Sequence, residues 1–358
     1  MIDALLGFFA GMLSGFIPGM HINSLAQLSS SDEFMITAAG SFLISSVFQM
    51  VFFLSSVQEV AALPLIGRLL KREGRLSVLI YHSLGVIIGL VVPLLIYKTG
   101  ALKSAYWALK PYIWLILLIS SLLLIIKSKE RKKYAALFLL SGVVGWVAIN
   151  NIREAFFIMF SGFFALPLLL ERAGKERHVK LGSLDFDKKS LASSLLGSVL
   201  GFFAILLPGI SSPSIMATVF LPAIPSGTSY ISLLSSITAS QYLYGGYAKS
   251  EIGIERLGWL KSVAEPNPYL LLTSSLFALA LSLLLVRKLK SLSLLRVPVL
   301  VYIVGLSFYY ASMWGLLLLF ASYAIGRLSI EERVERTAVL GSLLLPTLVG
   351  KLIPMLLF

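Results

Sequence analysis

The sequence predicts an all-α, polytopic membrane bundle on three observations: its composition, the length of its apolar runs, and a Pro-Gly motif repeated at constant offset. Of 358 residues, 58% are hydrophobic and 13% charged, and the mean hydropathy is +0.91. A soluble domain needs roughly a quarter of its residues charged to cover its surface. Lipid must therefore absorb the apolar runs. Inside hydrocarbon every backbone N–H and C=O needs an internal partner, which leaves helices or closed barrels. The runs are far longer than the ~10-residue segments of a barrel strand, so helices are expected.

A crossing needs ~20 apolar residues, and the chain divides accordingly. Residues 4–17 form a short apolar run ending at Pro18-Gly19. Crossings are expected near 35–56, 76–97, 111–126, 134–150 and 154–170. The charged stretch VQEVAALPLIGRLLKREGR suggests an interfacial helix between the first two. Residues 171–190 are the longest polar segment and read as a connector, dividing the chain into a first repeat (1–170) and a second (191–358). The second opens with another short run, 191–207, ending at Pro208-Gly209. Further crossings fall near 228–245, 268–286, 297–311, 312–327 and 338–357. The turn inside 297–327 is so apolar that one long tilted helix is the alternative there.

Net charge is +13. In a soluble protein that would suggest nucleic acid; here the basic residues sit in short loops and read as orientation signals, with no nucleic-acid partner. Placing the loops 68–75, 127–133, 171–189, 287–296 and 327–336 on the cytoplasmic side of a cell membrane puts 22 of the 30 Lys and Arg there. That count works only if 4–30 and 191–225 each return to the side they came from. Charge thus argues for two re-entrant hairpins and an outside N-terminus. Each half then has an odd number of crossings, so the halves are inverted. The opening MIDALLGFFAG is acidic and does not read as a removable signal peptide.

The hairpins coincide with an internal repeat. Gly7-x3-Gly11-x6-Pro18-Gly19 recurs as Gly197-x3-Gly201-x6-Pro208-Gly209, offset by 190, and Ser45-Ser46-Val47 meets Ser235-Ser236-Ile237 at the same offset. Polar residues follow each break: His21, Asn23 and Ser24 in one copy, Ser211, Ser212 and Ser214 in the other. Proline with glycine stops a helix at membrane depth. A short helix restarting there aims N–H groups and partial positive charge into a cavity, a site suited to an anion. Gln49 and Gln241 lie within crossings, where a polar side chain needs an interhelical partner, water or substrate. His21 occupies the first tip, and histidine changes charge near neutral pH. His82, near the inner end of a helix, reads as a structural histidine ahead of a proton relay.

Enzyme chemistry is not expected. Cysteine is absent, there are three His, and no HExxH, GxSxG or P-loop motif occurs, so neither a metal site nor a cofactor is anticipated. Ser211, Ser212 and Ser214 lack an accompanying base.

GFIPGMHINSLAQL resembles the signature of the tripartite tricarboxylate transporter large-permease (TctA) family, in its short archaeal form. VAALPLIGRLLKREGRLSVL, SGFFALPLLL, LLPGISSPSIMA and ERTAVLGSLLLPTLVG resemble further segments of that family. The resemblance implies a permease whose relatives import tricarboxylates with a small membrane subunit and an extracytoplasmic binding protein. It puts Pro18, Gly19, His21, Asn23, Pro208, Gly209, Ser211 and Ser212 at the substrate site. The expectation is a secondary transporter of an anionic, carboxylate-like solute, with the coupling ion (proton or sodium) open. A translocase of a polyprenyl-phosphate lipid and a non-transporting membrane scaffold are the alternatives.

Overall fold

The computed structural model describes residues 1–17, 20–26, 31–53, 69–170, 181–182, 187–210, 212–289 and 296–357, with side chains at all of these except 24, 53, 168 and 351–357. Every regular element among the described residues is helical. The first half runs α1 (Ile2–Phe16), the single turn α2 (Ile22–Leu25), α3 (Asp32–Ser45, followed by a π-turn at Gln49–Phe53), α4 (Arg75–Leu94) and α5 (Ala101–Leu109). It continues with α6 (Ile113–Lys127), α7 (Arg131–Asn151) and α8 (Ala155–Phe160, carried on through Ser161–Ala165 and Leu166–Leu170). The second half contributes α9 (Lys188–Leu206), α10 (Pro213–Phe220), α11 (Thr228–Ile252), α12 (Pro268–Lys288), α13 (Arg296–Glu331) and α14 (Gly341–Leu357). Starts are marked by local chemistry: Ser31, Asp187 and Asn267 accept first-turn N–H groups of α3, α9 and α12, as capping requires.

Among the described residues, seven helical stretches are long and apolar enough to cross a membrane. Their outer faces are greasy: Phe277, Val301 and Phe320 are each about 70% exposed, a surface that suits lipid. Two expectations change in detail, and a third, the division of 297–327 into two helices, is met. The helix foreseen as a short run at 191–207 is 19 residues long, Lys188–Leu206, and counts among the seven. Conversely α11, foreseen as a crossing at 228–245, is not among them. Its serines dilute its hydropathy, and it is buried continuously from Ser229 to Ala248, so protein rather than lipid surrounds it. In α13 the backbone leaves helical geometry at Ala311 (φ −143°, ψ 20°) and Ser312 (φ 50°, ψ −137°). Gly315 then lies against the Ser307 carbonyl, so the segment is two helices folded back. The interfacial helix expected after α3 falls mainly on 54–68, and most of the connector on 171–180 and 183–186, outside the described residues.

Helix direction follows from contacts. The Met1 amino group meets Glu33 at 3.0 Å, Thr37 Oγ1 donates to the Ala4 carbonyl at 2.8 Å, and Ser41 Oγ donates to that of Phe8 at 2.8 Å. Partner numbers rise together, so α1 and α3 are parallel, and the start of α3 lies at the level of Met1. The second copy repeats this. Ser190 Oγ donates to Thr228 Oγ1 at 3.3 Å, Ser236 Oγ donates to the Ser194 carbonyl at 2.6 Å, and Gly201 lies against Ser240. Helices α9 and α11 are therefore also parallel, joined by a returning segment that contains α10.

The two pairs match closely at their interruptions. Ile17 ends α1 at φ −106°, ψ 108°, and Leu207 ends α9 at φ −104°, ψ 103°. Past that point the offset of 190 fails. Gly7 packs on the Phe34 carbonyl, but Gly197 packs on that of Leu233, not Ile224. A longer return in the second copy shifts the partners, so Ser45-Ser46-Val47 and Ser235-Ser236-Ile237 are not structural equivalents.

The halves interlock. Helix α4 packs along α9 and α11, while α12 of the second half packs on α3. The Asp32 carboxylate at the start of α3 accepts the N–H groups of Ala264 and Glu265, beyond the end of α11, at 2.8 and 2.9 Å. Near the far end of α3, Leu43 meets His82, which meets Ser235 early in α11. Helix α3 thus runs opposite to α4 and α11. Loops assigned by charge to one side also meet one another. Leu76 N–H donates to the Leu181 carbonyl at 2.8 Å, Arg75 reaches the Leu289 carbonyl, and Lys133 pairs with Glu332 at 2.7 Å.

Glycine makes the parallel contacts possible, since a Cβ on Gly11 would strike the Ala38 carbonyl and one on Gly201 the Ser240 hydroxyl. Gly11→Ala and Gly201→Ala should each cost about 1–3 kcal/mol through overpacking. Gly305→Ala, facing open space within a helix, should gain ~0.5–1 kcal/mol. Thermal unfolding of the three variants in detergent checks both signs.

Candidate functional site: two interrupted helices

At the first interruption Pro18 and Gly19 lie outside the described residues, but both flanks are defined. The last carbonyls of a helix have no internal partner. At the end of α1, the carbonyls of Ser14 and Ile17 take the Ile17 and Met20 N–H groups at 3.2 and 3.1 Å and, as a second donor, Gln49 Nε2 at 3.0 and 3.1 Å. The π-turn that holds Gln49 follows directly on α3, and π-turns are inserted where a side chain must be re-aimed. Gln49, a candidate ligand from sequence, thus spends both donor hydrogens on the broken helix. His21 caps α2, its Nδ1 accepting the Asn23 N–H at 3.3 Å, and its ring meets Phe42 edge-on at 5.3 Å. Asn23 Oδ1 accepts the Trp259 N–H at 2.9 Å, and Ser262 Oγ donates to the Ala26 carbonyl at 3.1 Å. These bonds fasten the returning segment to the turn Gly258–Ser262 between α11 and α12. The side chain of Ser24 is outside the described residues.

At the second interruption, Gly209 follows Pro208 with φ +82°, a conformation that L side chains adopt only with strain. A Cβ there would lie 3.2 Å from Thr347 Oγ1 of α14. Ser211 is outside the described residues. Ser212 is the N-cap residue of α10, with Pro213 at its first position, and it places no side-chain hydrogen bond on the helix. Its hydroxyl lies 3.0 Å from that of Ser214 instead. The first turn of α10 therefore presents N–H groups and two hydroxyls together. At the other end of α10, Lys127 Nζ donates to the carbonyls of Thr218 and Leu221 at 2.6 and 3.1 Å, a cation on the negative end of the helix dipole.

The candidate residues thus fall into two neighbourhoods. His21, Asn23 and Gln49 are tied to α3 and to the Trp259 turn; Gly209, Ser212 and Ser214 lie beside α14 and on α10. Gln241 is buried in α11 at 5% exposure. A shallow recess lies beside the first return segment, lined by Tyr242, Tyr247, Trp259 and Asn267 among others. None of the twelve sequence candidates lines it. Sequence reasoning missed Thr347, Trp259, Phe42 and Lys127. Thr347 stood in a segment already marked by resemblance, but nothing local in the sequence pairs residues some 20 to 240 positions apart.

Apolar helices of spanning length, greasy outer faces and helices broken in the interior define a helical membrane protein. No family model and no solved structure matches the chain. Along nearly its whole length it is similar to an uncharacterized protein of Methanocaldococcus jannaschii: 26% identical over 393 aligned positions, covering 97% of this chain and 98% of the other.

Gln49→Leu removes the side-chain donor from the Ser14 and Ile17 carbonyls, leaving each with the single bond it accepts from the Ile17 or Met20 N–H. The expected loss is about 0.5–1.5 kcal/mol for each hydrogen bond removed, read as a lower unfolding midpoint, whereas Asn150→Leu at the exposed end of α7 should be nearly silent.

Proposed function

We propose that this protein is a secondary-type transporter of an anionic, carboxylate-like solute, built as two inverted repeats whose re-entrant hairpins hold the substrate. The observation that carries the reading is the pair of parallel couples, α1 with α3 and α9 with α11, set in opposite directions. In a bilayer, a helix that stops and is followed by a parallel partner must return through the membrane between them. Opposed interrupted helices at the midplane are how such carriers bind ions and anions without a dedicated charged residue. The N-terminal turn of α10, with Ser212 and Ser214, supplies the donors for an anion at the second tip; the first tip supplies His21. Membership of the TctA family is part of this proposal and accords with the Pro-Gly segments. So is insertion in the cell membrane with the basic loops in the cytoplasm. A small membrane subunit and a binding protein remain proposed partners beside the membrane lipids.

One observation favours a second reading, a non-transporting scaffold: both tips are closely packed, Asn23 on Trp259 and Gly209 on Thr347. A carrier passes through an occluded state with the same appearance, so the two readings part on flux. Proteoliposomes loaded with the purified protein should accumulate labelled di- and tricarboxylates. Gly209→Leu, which forces a side chain into a left-handed position, should lower uptake by at least ~10-fold while the protein still elutes as a folded species. No carboxylate flux, together with thermal stabilisation by a polyprenyl phosphate, would move the assignment to lipid translocation. Neither response would leave the scaffold.

A further inference from the structure

We propose that His82 is a proton-binding site at the seam between the two halves, and, on the transport reading above, the site of the coupling proton. The imidazole is buried at 3% exposure and bridges three helices. Nε2 lies 2.7 Å from the Leu43 carbonyl of α3, and Nδ1 lies 2.8 Å from Ser235 Oγ of α11. A carbonyl only accepts, so Nε2 carries the hydrogen and Nδ1 offers its lone pair to the serine hydroxyl. The neutral ring is thus fully satisfied, with one basic nitrogen at the contact between halves.

Proton uptake at Nδ1 makes both ring nitrogens donors and requires the Ser235 hydroxyl to turn from donor to acceptor. It also places a positive charge where, among the described residues, the ring's hydrogen-bond partners are a carbonyl and a hydroxyl rather than a carboxylate. The helices packed against α4 carry their charged groups at their ends: Asp32 and Glu33 on α3, Lys188 and Lys189 on α9, Lys249 and Glu251 on α11, Arg287 and Lys288 on α12, and on α4 itself Arg75. Nearer His82 the titratable groups are phenols, Tyr81 and Tyr230, together with His21 behind the Phe42 ring. A buried cation without a partner costs several kcal/mol, and that cost is relieved if the seam parts and admits water.

The seam is made to part. Gly85 and Gly89 of α4 lie directly on the Ser232 and Ser236 carbonyls of α11, with Ala239 beyond, so no large side chains interlock across it. A proton that binds the open seam better than the closed one shifts the population towards open by its differential affinity. Leu43 adjoins Phe42, which holds His21 at the first tip, so the same movement reaches the proposed substrate site.

The absence of cysteine gives a clean background for the test. In an Ala239→Cys protein, labelling by a polar maleimide, divided by that of an exposed Thr99→Cys reference, should rise at least ~10-fold from about pH 8 to about pH 5. His82→Gln keeps a donor for Leu43 but cannot titrate, and should abolish the rise; His21→Gln should retain it. A rise that survives His82→Gln, or no rise with His82 present, overturns the proposal. Should His82→Gln fail to fold, 15N-histidine NMR of the doubly substituted His21→Gln, His178→Gln protein decides: an imidazole that stays neutral throughout that range overturns the site. Neither measurement needs a substrate. A protein that titrates here yet moves no solute keeps the proton site and loses only the transport reading.

Discussion

The constraint on which this architecture rests is the satisfaction of backbone groups freed where a helix stops inside hydrocarbon. Each unpaired carbonyl or N–H there costs several kcal/mol, so an interruption persists only if something reaches it. Here two helix ends are answered from outside their own segment. Gln49 adds a donor at the end of α1, where the first interruption begins, and Lys127 takes carbonyls at the far end of the return helix α10. One answer is neutral and comes from the parallel partner helix. The other is cationic and comes from the end of α6, among the basic loops. The residues with the largest structural obligation therefore lie off the Pro-Gly motif, in segments that read as ordinary crossings.

The same economy explains the serines. A membrane interior gains little from burying leucine against leucine, because lipid is equally apolar; close packing and hydrogen bonds between helices have to hold the bundle. Thr37, Ser41, Ser45 and Ser236 each donate to a carbonyl of the parallel neighbour. Glycines opposite them let the backbones come near enough. Such a seam is cohesive but smooth. It resists separation through many small contacts and offers little resistance to sliding, which suits helices that are wholly enclosed by protein, as α11 is.

The helical class and the places of most of the long apolar helices were legible because each depends on a sum over many residues, hydropathy over a window. The repeat was legible only where the match is residue by residue. Gly7 and Gly11 align with Gly197 and Gly201, and Ile17 with Leu207, down to backbone angles. Beyond the break, a return segment of different length moved the register, and the apparent alignment of Ser45 with Ser235 was accidental, as runs of small residues invite. The candidate site was legible at its tips and illegible at its supports. Trp259 and Thr347 carry no local signal, since only the fold brings them beside Asn23 and Gly209. Gln49 was marked correctly as a residue needing a partner, but the partner is the end of α1.

The two parallel couples, α1 with α3 and α9 with α11, run in opposite directions and need not hold the same conformation, and here they do not. The first return segment is fastened by side chains to a turn of the other half; the second rests on α14 through a left-handed glycine and keeps its helix start free of a side-chain cap. On the transport reading this inequality is the mechanism in embryo. If the first repeat took the conformation of the second, and the second that of the first, the site would open to the opposite side of the membrane. A group sensing which arrangement is present has to touch both halves at the line where they slide. His82, bonded to α3 through one nitrogen and to α11 through the other, is placed where that exchange must be felt.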